Sequence, residues 1–222
     1  VSLENLVALT TLANAKDELG ITDSSQDARV ERYVLEASSA CEGYCDRSFR
    51  KTTQVETLQA SGTRRLVLSR TPLASITSIV VDGETLDASA YSIEDAAAGL
   101  VYRESGWPRY DSVVPYSVSR DAIAGTAKRD VVVTYVGGYV LPNDSVGTRD
   151  LPYDVEAACL MTVVSMFRAR GRDRAVASKG TGDASVSFRL PNAIIGVGAG
   201  GVIPDEAAVI LNRYRRVVMV SA

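Results

Sequence analysis

The sequence predicts an α+β fold with helices at both ends and a β region between the second helix and a central one. Three observations carry this. Apolar residues recur at three- and four-residue spacing before Cys45 and again after Leu151, and they alternate with polar residues from Thr52 onward. The two periods occupy separate stretches of one chain. With 222 residues, a core of ordinary size is available, either in one large domain or in a domain carrying an insertion. The expected division is 1–50 for the N-terminal helices, 51–140 for the β-rich insertion and 141–222 for the central helix, a basic and glycine-rich segment and the last helix.

In chain order, Thr10 or Thr11 opens a short helix through Leu12, Ala15, Lys16 and Leu19, closed by Gly20. Ser24 and Asp27 have the form of a capping box, and Val30, Val34, Ala37, Cys41 and Tyr44 then trace one stripe of a longer helix ending near Cys45. Its other face, with Arg29, Glu31, Arg32, Glu36 and Glu42, reads as solvated or as a charged subunit contact. From Thr52 the period is two, with Val55, Thr57, Leu66, Leu68, Ile76, Ile79 and Val81 set among polar residues. Asp82-Gly83 between two β-favouring runs predicts a tight hairpin, because such a turn needs positive φ. Tyr91 to Ile93 and Leu100 to Tyr102 continue the meander. Between Ser105 and Arg129 no period survives, so a loop is expected that could offer Trp107, Tyr110 and Tyr116 to a partner or pin them to its own sheet.

Val131, Val132, Val133, Tyr135 and Val136 then form a buried strand, stopped by Gly137-Gly138. Asp150 is placed to cap the central helix, Pro152 suits its first turn, and Asp154 and Glu156 suit its positive dipole end. Val155, Ala158, Cys159, Thr162, Val163, Met166 and Phe167 make this the most apolar helix of the chain. It runs out into Arg168, Arg170, Arg172 and Arg174, which suit DNA phosphates, acidic groups of a neighbouring subunit, or solvent at a helix end. Flexibility is expected at Lys179 to Gly182, an edge strand from Ala184 to Leu190, and a last helix after Pro204. The tail Val217, Val218, Met219 and Val220 has no evident intramolecular home and suggests an interface or an added strand.

Composition excludes more than it assigns. A charged fraction of 23% and hydrophobic fraction of 46% describe a folded protein, and a net charge of -3 gives no global attraction to nucleic acid. No apolar run reaches the roughly 18 to 20 residues of a membrane span, which points to a location inside a cell or in a particle assembled there. With no histidine, the His-based triads and metal sites are absent. Cys41, Cys45 and Cys159 fit burial as reduced thiols. Gly196 to Gly201 matches a dinucleotide fingerprint formally, but too little chain follows for the second strand of that unit. Asp144, Asp150 and Asp154 have simpler roles in turns and caps than as magnesium ligands. No catalytic, cofactor or metal residue is assigned.

The order of elements resembles the tailed-phage head-tail connector family, also called adaptor or head-completion proteins. The resemblance rests on Thr10 to Ile21 with the helix from Val30 to Cys45, on Leu73 to Gly83, on Val131 to Tyr139 followed by Leu151-Pro152 and the apolar helix, and on Ile203 to Arg216. It implies a small α-helical bundle with a β-sheet and hairpin insertion, and a structural role. Copies would form a ring, expected to be dodecameric, in the neck of a virion assembled in the host cytoplasm. The ring would bind the portal protein, meet a tail or stopper protein and surround genomic DNA in transit, with no cofactor and no membrane. On this reading Tyr214, Arg215, Arg216 and Val217 to Val220 meet portal or a neighbour, Trp107 and Tyr110 meet tail or neighbour, and Arg168, Arg170, Arg172 and Arg174 line the channel or a subunit contact. A tail-terminator or β-rich adhesion module is the alternative, and an enzyme is disfavoured.

Overall fold

The computed structural model describes residues 8–59, 62–108, 130–145, 147–170, 178–181, 184–187 and 203–216, the two short strands among them by backbone alone. Contacts divide the chain into a helical unit, Val1–Phe49 with Val140–Ala222, and a sheet unit, Arg50–Tyr139.

In the helical unit, α1 spans Leu12–Leu19, α2 Asp27–Cys45, α3 Tyr153–Arg168 and α4 Asp205–Leu211, the last continued by a 3-10 turn at Asn212–Tyr214. Thr11 caps α1 by accepting from the Asn14 amide, and Gly20 ends it at φ 65. The other two predicted caps take different forms. Asp27 is already inside α2, whose N-cap Gln26 makes no side-chain bond, and its carboxylate instead meets Lys16 Nζ at 2.6 Å. Asp150 lies too far ahead of α3 to reach its first amides. It accepts from the Val140 amide at 2.5 Å and folds the approach loop back, while Pro152 occupies the N-cap. Val30, Val34, Ala37 and Cys41 of α2 are buried, as are Val155, Ala158, Cys159 and Val163 of α3 and Leu211 of α4. Each large apolar side chain so buried contributes about 1.5–3 kcal/mol.

The sheet unit contains β1 (Thr52–Gln59), β2 (Arg65–Val67), β3 (Leu73–Val81), β4 (Glu84–Thr85), β5 (Ser92–Asp95), β6 (Leu100–Tyr102) and β7 (Asp130–Gly137). One antiparallel sheet runs β1-β7-β3-β4 and a second β2-β6-β5. The β-rich run predicted from Val131 is thus a central strand, with Val131, Val133, Tyr135 and Gly137 alternating inward. Gly137 is required there, since a Cβ would stand 2.5 Å from the Arg70 carbonyl oxygen. The Asp82-Gly83 turn closes β3 onto β4 with φ of 53 and 87 at its two centre residues, as the dipeptide predicts.

Two features of this unit depart from the sequence expectation. The period of two holds in β1, but Val55 and Thr57 are exposed while Gln54, Glu56 and Leu58 are half-buried. A carboxylate sets this phase: Glu56 Oε2 accepts from Tyr135 Oη at 2.8 Å, from Ser69 Oγ at 2.9 Å and from the Ser69 amide at 3.0 Å, and that satisfied inward position turns Val55 to solvent. Trp107 is the second. Only 3% exposed, it packs with Leu66, Leu68, Val101, Val131 and Val133 in the core, with the Arg103 guanidinium 5.6 Å from its ring centre.

The segment after α3 holds a further hairpin, β8 (Ser178–Thr181) paired antiparallel with β9 (Ala184–Ser187). Where the small residues from Lys179 to Gly182 predict flexibility, the backbone from Ser178 to Thr181 is a strand in register with β9, and Gly182 lies outside the described residues.

Candidate functional site

Among the described residues, polar and charged groups gather at two nodes, one in each unit. In the helical unit Glu156, 5% exposed, accepts from Thr10 Oγ1 at 2.9 Å and Asn14 Nδ2 at 2.8 Å, and meets Arg149 Nη2 at 2.6 Å. The Arg149 guanidinium also lies 3.9 Å from the centre of the Tyr153 ring, which is 77% exposed. This places one carboxylate between α1, α3 and the loop before α3. In the sheet unit Glu56 joins β1 to Ser69 and to Tyr135 of β7, and the Tyr135 oxygen in turn accepts from the Arg70 amide at 3.0 Å. Burial pushes the Tyr135 phenol above its ordinary range.

Both nodes hold elements of their own unit together. Glu156 accepts through both of its oxygens, whereas the three donors to Glu56 all meet Oε2. The three cysteines are free and buried. A hydrogen bond with Cys159, reinforced by burial, raises the Cys41 thiol pKa, and burial pushes Cys45 up to about 12, so both stay protonated and unreactive at neutral pH. No cluster of three or more potential metal ligands occurs among the described residues, and no helix there is long and apolar enough to cross a membrane.

The residues singled out from sequence are dispersed. Tyr214 donates to both oxygens of Asp154 at 2.8 and 2.9 Å, and its ring meets Phe49 edge-on at 6.1 Å, so it holds the last turn onto α3. Arg215 lies 5.9 Å from the Tyr44 ring centre, and the Arg216 amide donates to the Cys45 carbonyl at 2.8 Å; both side chains are exposed. Arg168 is exposed at the end of α3, whereas Arg170 bonds Gln26 Oε1 at 2.5 Å and stacks 3.9 Å from the Phe167 ring centre. Trp107 cannot present its ring to a partner while the sheet unit stays folded. Tyr110, Arg172, Arg174, Val217 to Val220 and Gly196 to Gly201 lie outside the described residues. The Glu156 node was missed because its partners are 142 and 146 positions away, beyond any periodicity.

Among the described residues, several large apolar side chains are also exposed. Tyr153 at 77%, Met161 at 40% and Val209 at 68% stand out from α3 and α4, and Val55 at 61% from β1. Such features suit association with other chains better than chemistry on a small molecule.

The comparisons agree with that reading. The family described as "Head completion protein" matches residues 8–135, from the start of the helical unit to within β7. No curated protein matches. Among solved structures, a chain described under "Neck of empty GTA particle computed with C6 symmetry" has a TM-score of 0.55 at 15% identity, covering 96% of this chain and 93% of that one. A second, from "Virion of native gene transfer agent (GTA) particle", has a TM-score of 0.55 at 14% identity with the same coverage. The fold is therefore that of these particle proteins through nearly its whole length. By the family match, the chain belongs to the head completion proteins, structural components of the virion at the head-tail interface.

Proposed function

We propose that copies of this chain stand side by side in a ring beneath the portal, extending the DNA channel and offering a platform to the tail or a stopper protein. The observation that supports this most is the fold likeness over 96% of the chain to a protein of a symmetric neck, joined to the family match. The surface chemistry supports it too: the Glu156 and Glu56 carboxylates are met by donors of their own unit, while apolar side chains stand exposed on α3 and α4. Catalysis has no place in this reading. The division into helical bundle and β insertion serves the ring by separating two kinds of surface on one chain.

Portal contact is assigned to the end of the chain, Tyr214 to Val220, because Arg215 and Arg216 are exposed cations beside an apolar sequence. The arginines beginning at Arg168 are assigned to a neighbour or to channel DNA, with Arg168 the freer of the two described. Light scattering across concentration, on the purified chain alone and mixed with its portal, tests the ring. A discrete multimer in either sample supports it, and a monomer in both overturns it. Deleting residues after Arg216 should weaken portal binding; undiminished binding would remove the tail from the contact.

A further inference from the structure

Two elements of this chain are each incomplete in a way the other would remedy. The first is β1. It pairs with β7 through all eight of its residues, Thr52↔Gly137 to Gln59↔Asp130, without a register shift, and among the described residues no strand covers its other side. Natural edges are blunted by shortness, lysine, proline or bulges. β1 has none of these: its sequence is TTQVETLQ, and its one charged side chain, Glu56, is turned inward onto Ser69 and Tyr135. The opposite edge of the same sheet, β4, has two residues. The edges of the second sheet have three and four, bridged by Arg65 and Glu94 at 2.5 Å. β1 is thus the long and unguarded edge of the described fold, and the alternation that exposes Val55 adds an apolar contact beside it.

The second element is the β8-β9 hairpin. Its ladder holds four residue pairs, and among the described elements its extensive packing is confined to strand on strand. A two-stranded ribbon of this kind is marginal in water without a third strand or a packed face. Its strands read SKGT and ASVS, with Val186 the one apolar side chain larger than alanine, so it offers no large apolar face of its own. The ribbon needs a sheet to join, and among the described residues β1 is a sheet edge without a neighbour on one side.

We propose that the β8-β9 hairpin of one copy adds to the β1 edge of the next, extending the four-stranded sheet across the subunit boundary. This rests on the ring reading above. Donor and acceptor are different surfaces of one chain, so the contact is heterologous. Repeated around an axis, it closes a ring when the rotation permits, which a self-complementary edge-to-edge pairing of two β1 strands would not do. Backbone bonds supply the pairing and Val55 the side-chain contact.

The test uses the full chain. Val55→Lys places a guard on the edge at an exposed position, so the monomer keeps its melting temperature while the concentration needed for ring formation rises at least tenfold. In parallel, Thr53→Cys or Val55→Cys protein is mixed with differently tagged Ser185→Cys or Val186→Cys protein and treated with a short thiol cross-linker. The native cysteines are buried and give little background. Cross-links joining the two tags, well above those from a Glu84→Cys control on the opposite edge, are the expected result. Products confined to one chain, seen when both cysteines are on the same molecule, would show that the hairpin serves its own sheet and would overturn the proposal. Rings that persist in Val55→Lys protein without inter-tag cross-links would also overturn it while leaving the ring reading intact. Absence of rings in every sample, with or without portal, would remove both.

Discussion

The two units are stabilised around carboxylates of contrasting kind. Glu156 in the helical unit is nearly inaccessible and opposed by a cation, Arg149, with two neutral donors completing its shell. Glu56 in the sheet unit is half-buried and has only neutral donors, the Tyr135 phenol and two groups of Ser69. The first ties together segments 142 and 146 residues apart and is costly to leave half made. The second fixes the phase of an edge strand, and through that phase it decides which side chain, Val55, the edge shows to solvent. One carboxylate thus closes a unit on itself, and the other shapes a surface left open for association.

The sheet core marks the largest expected effect. Replacing Trp107, 3% exposed, with alanine should cost about 3–5 kcal/mol in chemical denaturation, because a large ring leaves a packed site. A neutral outcome would return Trp107 to the surface role its sequence context suggests. Next, Glu156→Ala takes the counter-ion from the half-buried Arg149 and the acceptor from Thr10 and Asn14, and should cost about 2 kcal/mol, read by urea denaturation and by faster amide exchange in α1 and α3. The contrast sharpens if the double variant Glu156→Leu with Arg149→Met regains most of that loss, since the cost then lies in the orphaned charge. Tyr135→Phe should cost less, about 1–2 kcal/mol, by leaving the Arg70 amide and Glu56 each short of a partner. Its exchange signature should be confined to the sheet unit.

The smallest effect at neutral pH concerns the thiols. Burial raises Cys45 from 9.0 to about 12 in the folded chain, so above pH 9 the unfolded chain releases a proton that the folded chain retains. Stability from this group is complete below pH 9 and falls as pH rises toward 12, at up to about 1.4 kcal/mol per pH unit. Thermal melts from pH 7 to 10.5 should show that decline, and Cys45→Ala should flatten it. An unchanged slope would place the alkaline loss elsewhere, with the Cys41 thiol the next to replace.

How much of this was legible follows from the range of each interaction. The Asp82-Gly83 turn, the Thr11 and Gly20 caps and the burial of the three cysteines depend on neighbours or on residue type alone, and the sequence carries them directly. The cap assigned to Asp150 and the capping box at Ser24 failed because a competing partner, the Val140 amide in one case and Lys16 in the other, is set by the path of the chain. Neither the central position of β7 between β1 and β3 nor the inverted phase of β1 can be seen locally, since both are settled by pairing across some eighty residues. For Trp107 the sequence left open a partner or its own sheet, because its surroundings lack a period; the core with Leu66 and Val133 decides for the sheet. The exposed apolar surface was not legible: Tyr153, Met161 and Val209 sit on helices read for their buried stripes, Val55 was grouped with the strand's apolar set, and the tail Val217 to Val220 lies outside the described residues.

The most direct test of the account is the mass of the purified chain, alone and with portal, measured by light scattering over a range of concentrations. The account predicts a discrete ring, formed alone or on the portal and lost in Val55→Lys protein of unchanged melting temperature. A chain that stays monomeric at every concentration and ignores the portal would contradict it.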